Sequence, residues 1–327
     1  MTANPRMDPQ MAAFTAYMAQ QMAPYPAIIL PNPPRSAPFD EPRRINDAPQ
    51  VPLSDGGPVM AESRDIWLPI RGRRMQLRFH RPSHDPNLPV LIYLHGGGWV
   101  WGSVDTHDRL MRSYAAASGC AVLGPDYALS PEAVFPQAME ETAAVLRHVA
   151  EKGTQLGLDG SRIILGGDSA GANIAAGLAL LNAERPDPVK LAGLLLNYGV
   201  FDHDLNTASY REFADGYGLT AAKMRFYWDA YCPDAVARLS AFASPIRGDL
   251  SVLPPTLLHI AELDVLCAEN LAFAEKLRQA GVSLEMQTFP GTVHGFLRAL
   301  GRVGAADRAV ELAGAWLRGR FSPQVSR

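Results

Sequence analysis

The stretch GGDSAGAN, residues 166–173, follows the apolar run RIIL (residues 162–165) and precedes an alanine-rich segment. The apolar run is typical of a buried strand, and the alanine-rich segment is typical of a helix. Between them, Gly167 and Gly171 flank Ser169 in the pattern G-x-S-x-G. Glycines at these positions let a strand turn sharply into a helix and leave the serine hydroxyl exposed above the sheet. The pattern therefore predicts a strand–turn–helix unit with Ser169 as a candidate nucleophile.

Strand and helix patterns alternate on both sides of this unit. Continuous apolar strands separated by helices indicate an α/β fold, with a mostly parallel central sheet covered by helices on both faces. In such sheets the chemistry lies at the carboxyl ends of the strands. Strands are predicted at 89–95, 120–127, 162–167, 191–199, 256–264 and 283–289, a hairpin at 65–70 and 75–82, and helices at 106–118, 136–151, 170–184, 266–280 and 298–318.

A long segment interrupts this alternation. Roughly 55 residues separate the strands at 191–199 and 256–264, far more than an ordinary connection. Aromatic residues with helical spacing, in MRFYWDAY (residues 224–231), predict that the segment is a helical insertion. We expect the insertion to span 201–244, and the main α/β domain to comprise 61–200 and 245–327.

The first 60 residues have a different character. Met11, Phe14, Met18 and Met22 are spaced for one face of a short helix, which indicates either core packing or the lining of a binding cleft. Prolines then recur every few residues over 24–58, which excludes long helices and predicts an extended arm.

Composition limits the partners and the compartment. The net charge of −3 gives no sign of a nucleic acid or an anionic membrane surface as partner. We find neither a signal peptide pattern nor an apolar run long enough to span a membrane. The three cysteines form no C-x-x-C pair, which argues against a disulfide framework or a zinc site and favours a reducing, cytoplasmic location.

A second glycine-rich motif, HGGGW (residues 95–99), closes the strand at 89–95. Because no G-K-[ST] follows, phosphate binding is disfavoured. Acyl transfer needs backbone N–H donors about 3 Å from a forming oxyanion, and bare glycines can supply them. We expect Gly97, Gly98 and Ala170 to form this oxyanion hole, with His95 anchoring the loop.

A serine nucleophile requires a base and a carboxylate that orients the base. Among eight histidines, only His294 follows the final predicted strand, in the Ser…Asp…His order expected for this motif. Asp264 ends the strand TLLHIAELD, where the sheet would hold it rigidly. Glu262 and Asp202 are the alternatives for the acid.

Taken together, HGGGW, GDSAG, the segment LSPEAVFPQA after Asp126 and Tyr127, and HGF resemble the hormone-sensitive lipase-like branch of the α/β-hydrolases. The resemblance runs from about residue 62 to the C-terminus. It implies carboxylic ester hydrolysis without a metal or organic cofactor, acting on a small-molecule ester. It also implies a cap built from the insertion at 201–244 and the N-terminal helix within 1–60, and a homodimer formed through the last strand and helix.

Aromatic residues of the insertion, together with Trp99, Trp101 and Tyr198, are candidates for a substrate wall. A closed cap would favour short- to medium-chain acyl groups. An amidase resembling arylformamidases is the alternative enzyme, because the same triad can cleave amides. A non-catalytic ligand-binding protein is the alternative from a different class. The predicted substrate-binding residues are Trp99, Tyr198, Phe213, Tyr217 and Trp228.

Overall fold

The computed structural model describes residues 5–36 and 38–322 and contains an eight-stranded sheet. Its strand order is β1-β2-β4-β3-β5-β6-β7-β8. The β1–β2 and β2–β4 pairs are antiparallel, and the other pairs are parallel, as the sequence pattern predicts. The strands are β1 (Glu62–Ile70), β2 (Arg73–Arg81), β3 (Leu88–Leu94), β4 (Ala121–Pro125), β5 (Leu158–Asp168), β6 (Leu191–Asn197), β7 (Thr256–Leu263) and β8 (Leu284–Val293).

Helices cover the sheet and connect its parallel strands. The helix α5 directly follows the strand that carries the G-x-S-x-G pattern. The α-helices are α1 (Pro9–Met22), α2 (Asp40–Asp47), α3 (Asp108–Ser118), α4 (Gln137–Lys152), α5 (Ala170–Ala183), α6 (Ala208–Glu212), α7 (Ala221–Tyr231), α8 (Cys267–Gln279) and α9 (Gly304–Phe321).

Apolar side chains on both faces of the central strands form the core. Val90, Leu165 and Leu195, on three neighbouring strands, have no exposed surface. Burial on both faces explains why these strands read as continuous apolar runs rather than as alternating patterns. Because β3, β5, β7 and β8 run in parallel, their carboxyl ends meet at one edge of the sheet. The sheet therefore brings residues from distant parts of the chain to one rim.

The segment between β6 and β7 is helical, and it packs on the loop that contains the motif HGGGW (residues 95–99), called the glycine loop below. Its helix α7 places the ring of Tyr227 over Gly98, and the Tyr227 hydroxyl accepts a 2.9 Å hydrogen bond from Trp101 Nε1. The Phe135 amide donates a 2.7 Å bond to the carbonyl of Tyr231, at the end of the same helix. These contacts hold the insertion above the rim.

The N-terminal helix α1 docks beside the end of β8 and the start of α9. The Asp8 amide donates a 3.0 Å bond to the Gly291 carbonyl, and Gln10 Oε1 accepts a 2.8 Å bond from the Gly304 amide. The guanidinium of Arg302 lies 4.2 Å from the centre of the Tyr17 ring. Tyr17 therefore packs against Arg302 of the main domain. The face of α1 that carries Met11, Phe14 and Met18 turns toward the rim.

Two predictions about local structure need correction. The segment expected to be an extended arm contains helix α2, in which Pro42 is tolerated because it lies in the first turn, where amide groups lack partners. The final helix does not begin at residue 298. A 3₁₀ turn at Phe296–Ala299 comes first, and the left-handed φ of +73° at Gly301 separates this turn from α9.

A buried carboxyl group fastens the start of the insertion to helix α8. Glu269 is 2% exposed, and its Oε1 accepts hydrogen bonds from the amides of Phe201 (2.8 Å) and Asp202 (3.4 Å). Burial raises the pKa of Glu269 well above its usual value, and the charges of Asp202 and Asp264 add to this effect. The folded protein therefore retains a proton that the unfolded chain releases at lower pH.

This raised pKa predicts a pH-dependent stability difference between the protein and its Glu269→Gln variant. Above the unfolded pKa, the unfolded chain binds fewer protons than the folded one, so the free energy of unfolding falls as pH rises. Glutamine keeps the acceptor and removes this term. The melting temperature of Glu269→Gln should rise relative to wild type between pH 5 and pH 8. The exposed Glu275→Gln on the same helix should show no such trend, and a constant difference for Glu269→Gln would contradict the prediction.

Candidate active site

Ser169 occupies the sharp turn between β5 and α5. Its backbone has φ of +54° and ψ of −119°, a strained conformation for a residue with a side chain. A side chain at Gly167 would lie 2.6 Å from the Leu94 carbonyl oxygen, and one at Gly171 would collide with the same oxygen. The two glycines therefore allow α5 to pass close to β3. The turn holds the Ser169 hydroxyl above the rim, as the sequence pattern predicts.

A chain of hydrogen bonds links Ser169, His294 and Asp264. Ser169 Oγ lies 2.8 Å from His294 Nε2, and His294 Nδ1 lies 2.7 Å from Asp264 Oδ2. The other carboxylate oxygen of Asp264 accepts a 3.0 Å bond from the Leu266 amide. With the proton on Nδ1, the imidazole donates to Asp264 and accepts from the serine. This arrangement can deprotonate Ser169 as it attacks an acyl carbon.

The two alternative acids are engaged elsewhere. Glu262 Oε2 accepts a 2.7 Å bond from the Gly291 amide, and Asp202 forms an ion pair with Arg247 at 3.0 Å. Asp264 is the carboxylate that bonds to His294. The sheet explains this choice, because Asp264 directly follows β7, beside the end of β8 where His294 lies.

The glycine loop lies beside the nucleophile. Gly97 and Gly98 have φ of +128° and +60°, which residues with side chains rarely adopt. Within the part of the chain that the structure describes, the amides of Gly97, Gly98 and Ala170 donate no hydrogen bond. All three residues are buried or half-buried, and both glycines line the same cavity as Ser169. These amides are free to bind an anionic oxygen.

The buried carboxylate of Asp168 fixes the loop relative to the nucleophile. Its Oδ1 accepts hydrogen bonds from Tyr93 Oη (3.0 Å) and the Gly96 amide (3.1 Å), and it lies 3.4 Å from His107 Nε2. Despite burial, His107 and the Tyr93 hydroxyl keep the pKa of Asp168 below its usual value, and the charge of Arg298 adds to this effect. The G-x-S-x-G pattern alone does not specify Asp168, but a charged residue at the end of an apolar strand is a signal for such a role.

His95 supports the same loop from below. It is buried, its Nδ1 lies 2.9 Å from the Gly96 carbonyl oxygen, and its own carbonyl accepts a 2.7 Å bond from Tyr127 Oη. Burial is the main reason that the pKa of His95 is lowered to about 3, so the ring stays neutral at physiological pH. The loop therefore gains no positive charge from this histidine.

A cavity of about 260 Å³ opens over Ser169 and His294. Helix α1 contributes one wall through Met11, Phe14 and Met18, which both pack against the core and line the cavity. Met22, the fourth residue of the predicted face, belongs to neither the core cluster nor the cavity lining. The insertion contributes Gly218, Leu219 and Tyr227, and the chain after β8 contributes Gly295 and Arg298. The wall is thus mostly apolar, with one cationic side chain, Arg298, and one anionic side chain, Asp168.

The five residues predicted to bind substrate, Trp99, Tyr198, Phe213, Tyr217 and Trp228, lie outside this cavity lining. Trp99 is buried and stacks on Tyr231, with ring centres 4.2 Å apart. Tyr198 sits behind the base, with its ring edge toward His294 at 5.0 Å. Both rings therefore support the site from behind instead of facing the cavity.

The predicted residues of the insertion also lie behind the cavity wall and do not line it. Phe213 and Tyr217 pack edge to face at 5.1 Å, and Trp228 is fully buried against the glycine loop. Its neighbour Tyr227 lines the cavity instead. Successive residues of a helix point about 100° apart, so a buried ring and a lining ring can be adjacent in sequence. Aromatic composition alone gave no means to choose between them.

Comparison with known proteins agrees with this arrangement. The model of a family described as having the alpha/beta hydrolase fold matches residues 91–298. The chain belongs to the α/β-hydrolase family. An esterase from Pseudomonas putida is 33% identical over 99% of this chain and 100% of its own, with a TM-score of 0.87.

Two further solved structures resemble this α/β-hydrolase. A thermophilic carboxylesterase cloned from a metagenomic library is 34% identical over 88% of this chain and 99% of its own, with a TM-score of 0.84. An esterase from Pyrobaculum calidifontis is 32% identical over 87% and 94% of the two chains, with a TM-score of 0.82. The predicted fold and the predicted resemblance to hormone-sensitive lipase-like carboxylesterases are confirmed, and the α/β-hydrolase is an enzyme of the hydrolase class.

Within residues 5–36 and 38–322, no group of three or more His, Cys, Asp or Glu side chains is placed to hold a metal ion. No helix in these ranges is both long enough and apolar enough to cross a bilayer.

The close approach at Gly171 predicts a large effect of a single methyl group. Gly171→Ala should lower the free energy of unfolding by about 1–3 kcal/mol, because the methyl meets the rigid backbone of β3. It should also lower kcat by displacing Ser169. Gly319→Ala is the matched control, since this exposed helical glycine has open space around it and alanine should be neutral or stabilising. Denaturant unfolding and ester turnover would measure both, and equal stability of the two variants would contradict the prediction.

Proposed function

We propose that the protein is a serine carboxylesterase that hydrolyses short- to medium-chain esters through an acyl-enzyme intermediate. The observation that carries this proposal is the hydrogen-bonded chain from Ser169 through His294 to Asp264, at 2.8 and 2.7 Å, beneath a mostly apolar cavity. The esterases of similar structure support the ester class of substrate.

In the first half-reaction, Ser169 Oγ attacks the ester carbonyl carbon as His294 Nε2 takes the hydroxyl proton. Asp264 holds the imidazole in the required tautomer and stabilises the imidazolium. The amides of Gly97, Gly98 and Ala170 bind the oxyanion of the tetrahedral intermediate, and their lack of other partners supports this role. When the intermediate collapses, His294 returns the proton to the departing alkoxide.

Hydrolysis of the acyl-enzyme repeats these steps with water. His294 removes a proton from the water molecule, and the resulting hydroxide attacks the acyl carbon. The same amides hold the second oxyanion. Its collapse releases the carboxylic acid and restores the Ser169 hydroxyl with the proton from His294. The chain's own residues thus supply every proton transfer.

Replacing the nucleophile tests the proposal directly. Ser169→Ala should lower kcat for p-nitrophenyl butyrate by roughly 10⁴–10⁶-fold, because attack without the serine must use water. A fluorophosphonate probe should label wild type at Ser169 and should not label the variant. Ser283→Ala, at an exposed position away from the rim, is the control and should behave as wild type. A folded Ser169→Ala variant with more than a tenth of wild-type turnover would refute the triad.

The preference for short to medium acyl chains follows from the cavity. Its volume of about 260 Å³ is at or below the lower end of ordinary ligand pockets. Helix α1 and the insertion over 201–244 close it from two sides, and we propose that they act together as the cap. Trp99, Tyr198, Phe213, Tyr217 and Trp228 support the cavity from outside, while Phe14 and Tyr227 contact the substrate.

Enlarging the cavity should change the chain-length optimum. Phe14→Ala removes a ring from the wall, so maximal kcat/KM on p-nitrophenyl esters should move from C4–C8 toward longer chains by about two carbons or more. Phe213→Ala removes a buried ring that lies outside the cavity lining, and its optimum should stay with wild type. The series from acetate to laurate measures both. A wild-type maximum at C12, or a shift in Phe213→Ala alone, would contradict this assignment of the wall.

We also propose a cytoplasmic location and a homodimeric assembly for this enzyme. Cys120, Cys232 and Cys267 are free thiols, which supports a reducing, cytoplasmic location. Strand β8 lies at one edge of the sheet, which supports a homodimer through β8 and α9.

A further inference from the structure

A cationic side chain faces the cavity close to the base. Arg298 lies four residues after His294, in the 3₁₀ turn Phe296–Ala299 that follows β8. The left-handed conformation of Gly295, with φ of +77°, turns the chain back at this point. Arg298 lines the cavity that contains Ser169. A permanent positive charge therefore lies at the wall of the cavity that would hold an ester, which the carboxylate of Asp168 also lines.

This guanidinium has no hydrogen-bond partner among the residues that the structure describes. Its Nε and Nη2 atoms are buried and unpaired. The carboxylates whose charges act on it, Asp168 and Asp47, form no ion pair with it at 4.0 Å or less. Asp168 is instead engaged by Tyr93 and the Gly96 amide. The charge of Arg298 is thus only partly compensated by the protein.

An unpaired, desolvated guanidinium is costly for a fold. Burial lowers the pKa of Arg298, but arginine stays protonated in proteins, so the charge cannot be removed by deprotonation. A buried donor left without an acceptor also costs stability. An uncharged residue such as leucine or methionine would fill the same space in this mostly apolar wall without that cost. The remaining nitrogen of the guanidinium, Nη1, is not among these buried atoms, and a partner that arrives with the substrate could pair with it.

We infer that Arg298 binds a carboxylate carried by the substrate, so that the enzyme prefers esters bearing a second, anionic carboxyl group. This inference rests on the proposed esterase function and adds a substrate class to it. Arginine suits this task because its guanidinium stays charged and forms charge-assisted hydrogen bonds to carboxylate oxygens. The apolar side chains of Met11, Phe14 and Met18 would contact the methylenes between the two carboxyl groups.

Matched neutral and anionic substrates test the preference in wild-type enzyme. The acyl-side pair is p-nitrophenyl hexanoate and the p-nitrophenyl monoester of adipate, and the alcohol-side pair is butyl acetate and 4-acetoxybutanoate. We expect kcat/KM to be about tenfold or more higher for the anionic member in one pair, because charge-assisted hydrogen bonds exceed neutral contacts in strength. Ratios at or below one in both pairs would overturn the inference.

Variants assign the preference to this residue. Arg298→Met should lower the anionic-to-neutral ratio of kcat/KM by about tenfold, mostly through KM for the anionic ester, and Arg298→Lys should restore part of it. Arg308→Met removes the same charge from the exposed surface of α9 and should keep the wild-type ratio. If Arg298 only balances the charge of Asp168, Arg298→Met will lower turnover of both esters equally, and the inference is wrong.

The two proposals fail in different ways. Hydrolysis of p-nitrophenyl hexanoate without preference for the adipate monoester would leave the esterase proposal intact and remove the role of Arg298. Failure to hydrolyse any of the four esters would refute the esterase proposal itself. Should Arg298→Met not fold, the wild-type ratios still decide the inference.

Discussion

The close approach of helix α5 to strand β3 is the constraint on which the site depends. At Gly171 the helix passes so near the Leu94 carbonyl that no side chain fits, and at Gly167 the same oxygen leaves almost no room. Only this proximity allows Ser169 to adopt its strained backbone at the end of a rigid strand. The strain is sustained by the buried sheet on one side and by the helix on the other. The hydroxyl is consequently held in place before any substrate arrives.

The same rigidity extends to the oxyanion hole through one carboxylate. Asp168 precedes the nucleophile and bonds to the Gly96 amide, so the strand that aims the serine also positions the loop that would bind the oxyanion. Electrostatic stabilisation is effective when its donors are already oriented, because no reorganisation is then needed during the reaction. An isolated buried charge lowers the stability of a fold, but here Tyr93 and His107 contact the carboxylate of Asp168 and offset this cost.

How far the sequence predicts this site depends on the kind of information involved. Ser169, Asp264 and His294 each end or follow a strand, and parallel strands bring such residues to one rim, so motif and chain order were sufficient to group them. The cavity wall depends on how α1 and α7 rotate as they pack, which no local pattern encodes. Tyr227 and Trp228 are adjacent in sequence, yet one lines the cavity and the other is buried behind it.

The reacting groups and the cavity wall come from different parts of the fold. The reacting groups belong to the sheet, where packing on both faces leaves little freedom, whereas Phe14 and Tyr227 come from helices that pack on the domain outside the sheet. Changes in those segments can alter the substrate without disturbing the triad. Arg298 stands between the two, only four residues from the base but turned into the cavity by Gly295. Arg298 and His294 belong to the same short segment after β8. A charge at position 298 can therefore select a substrate at a fixed distance from the base.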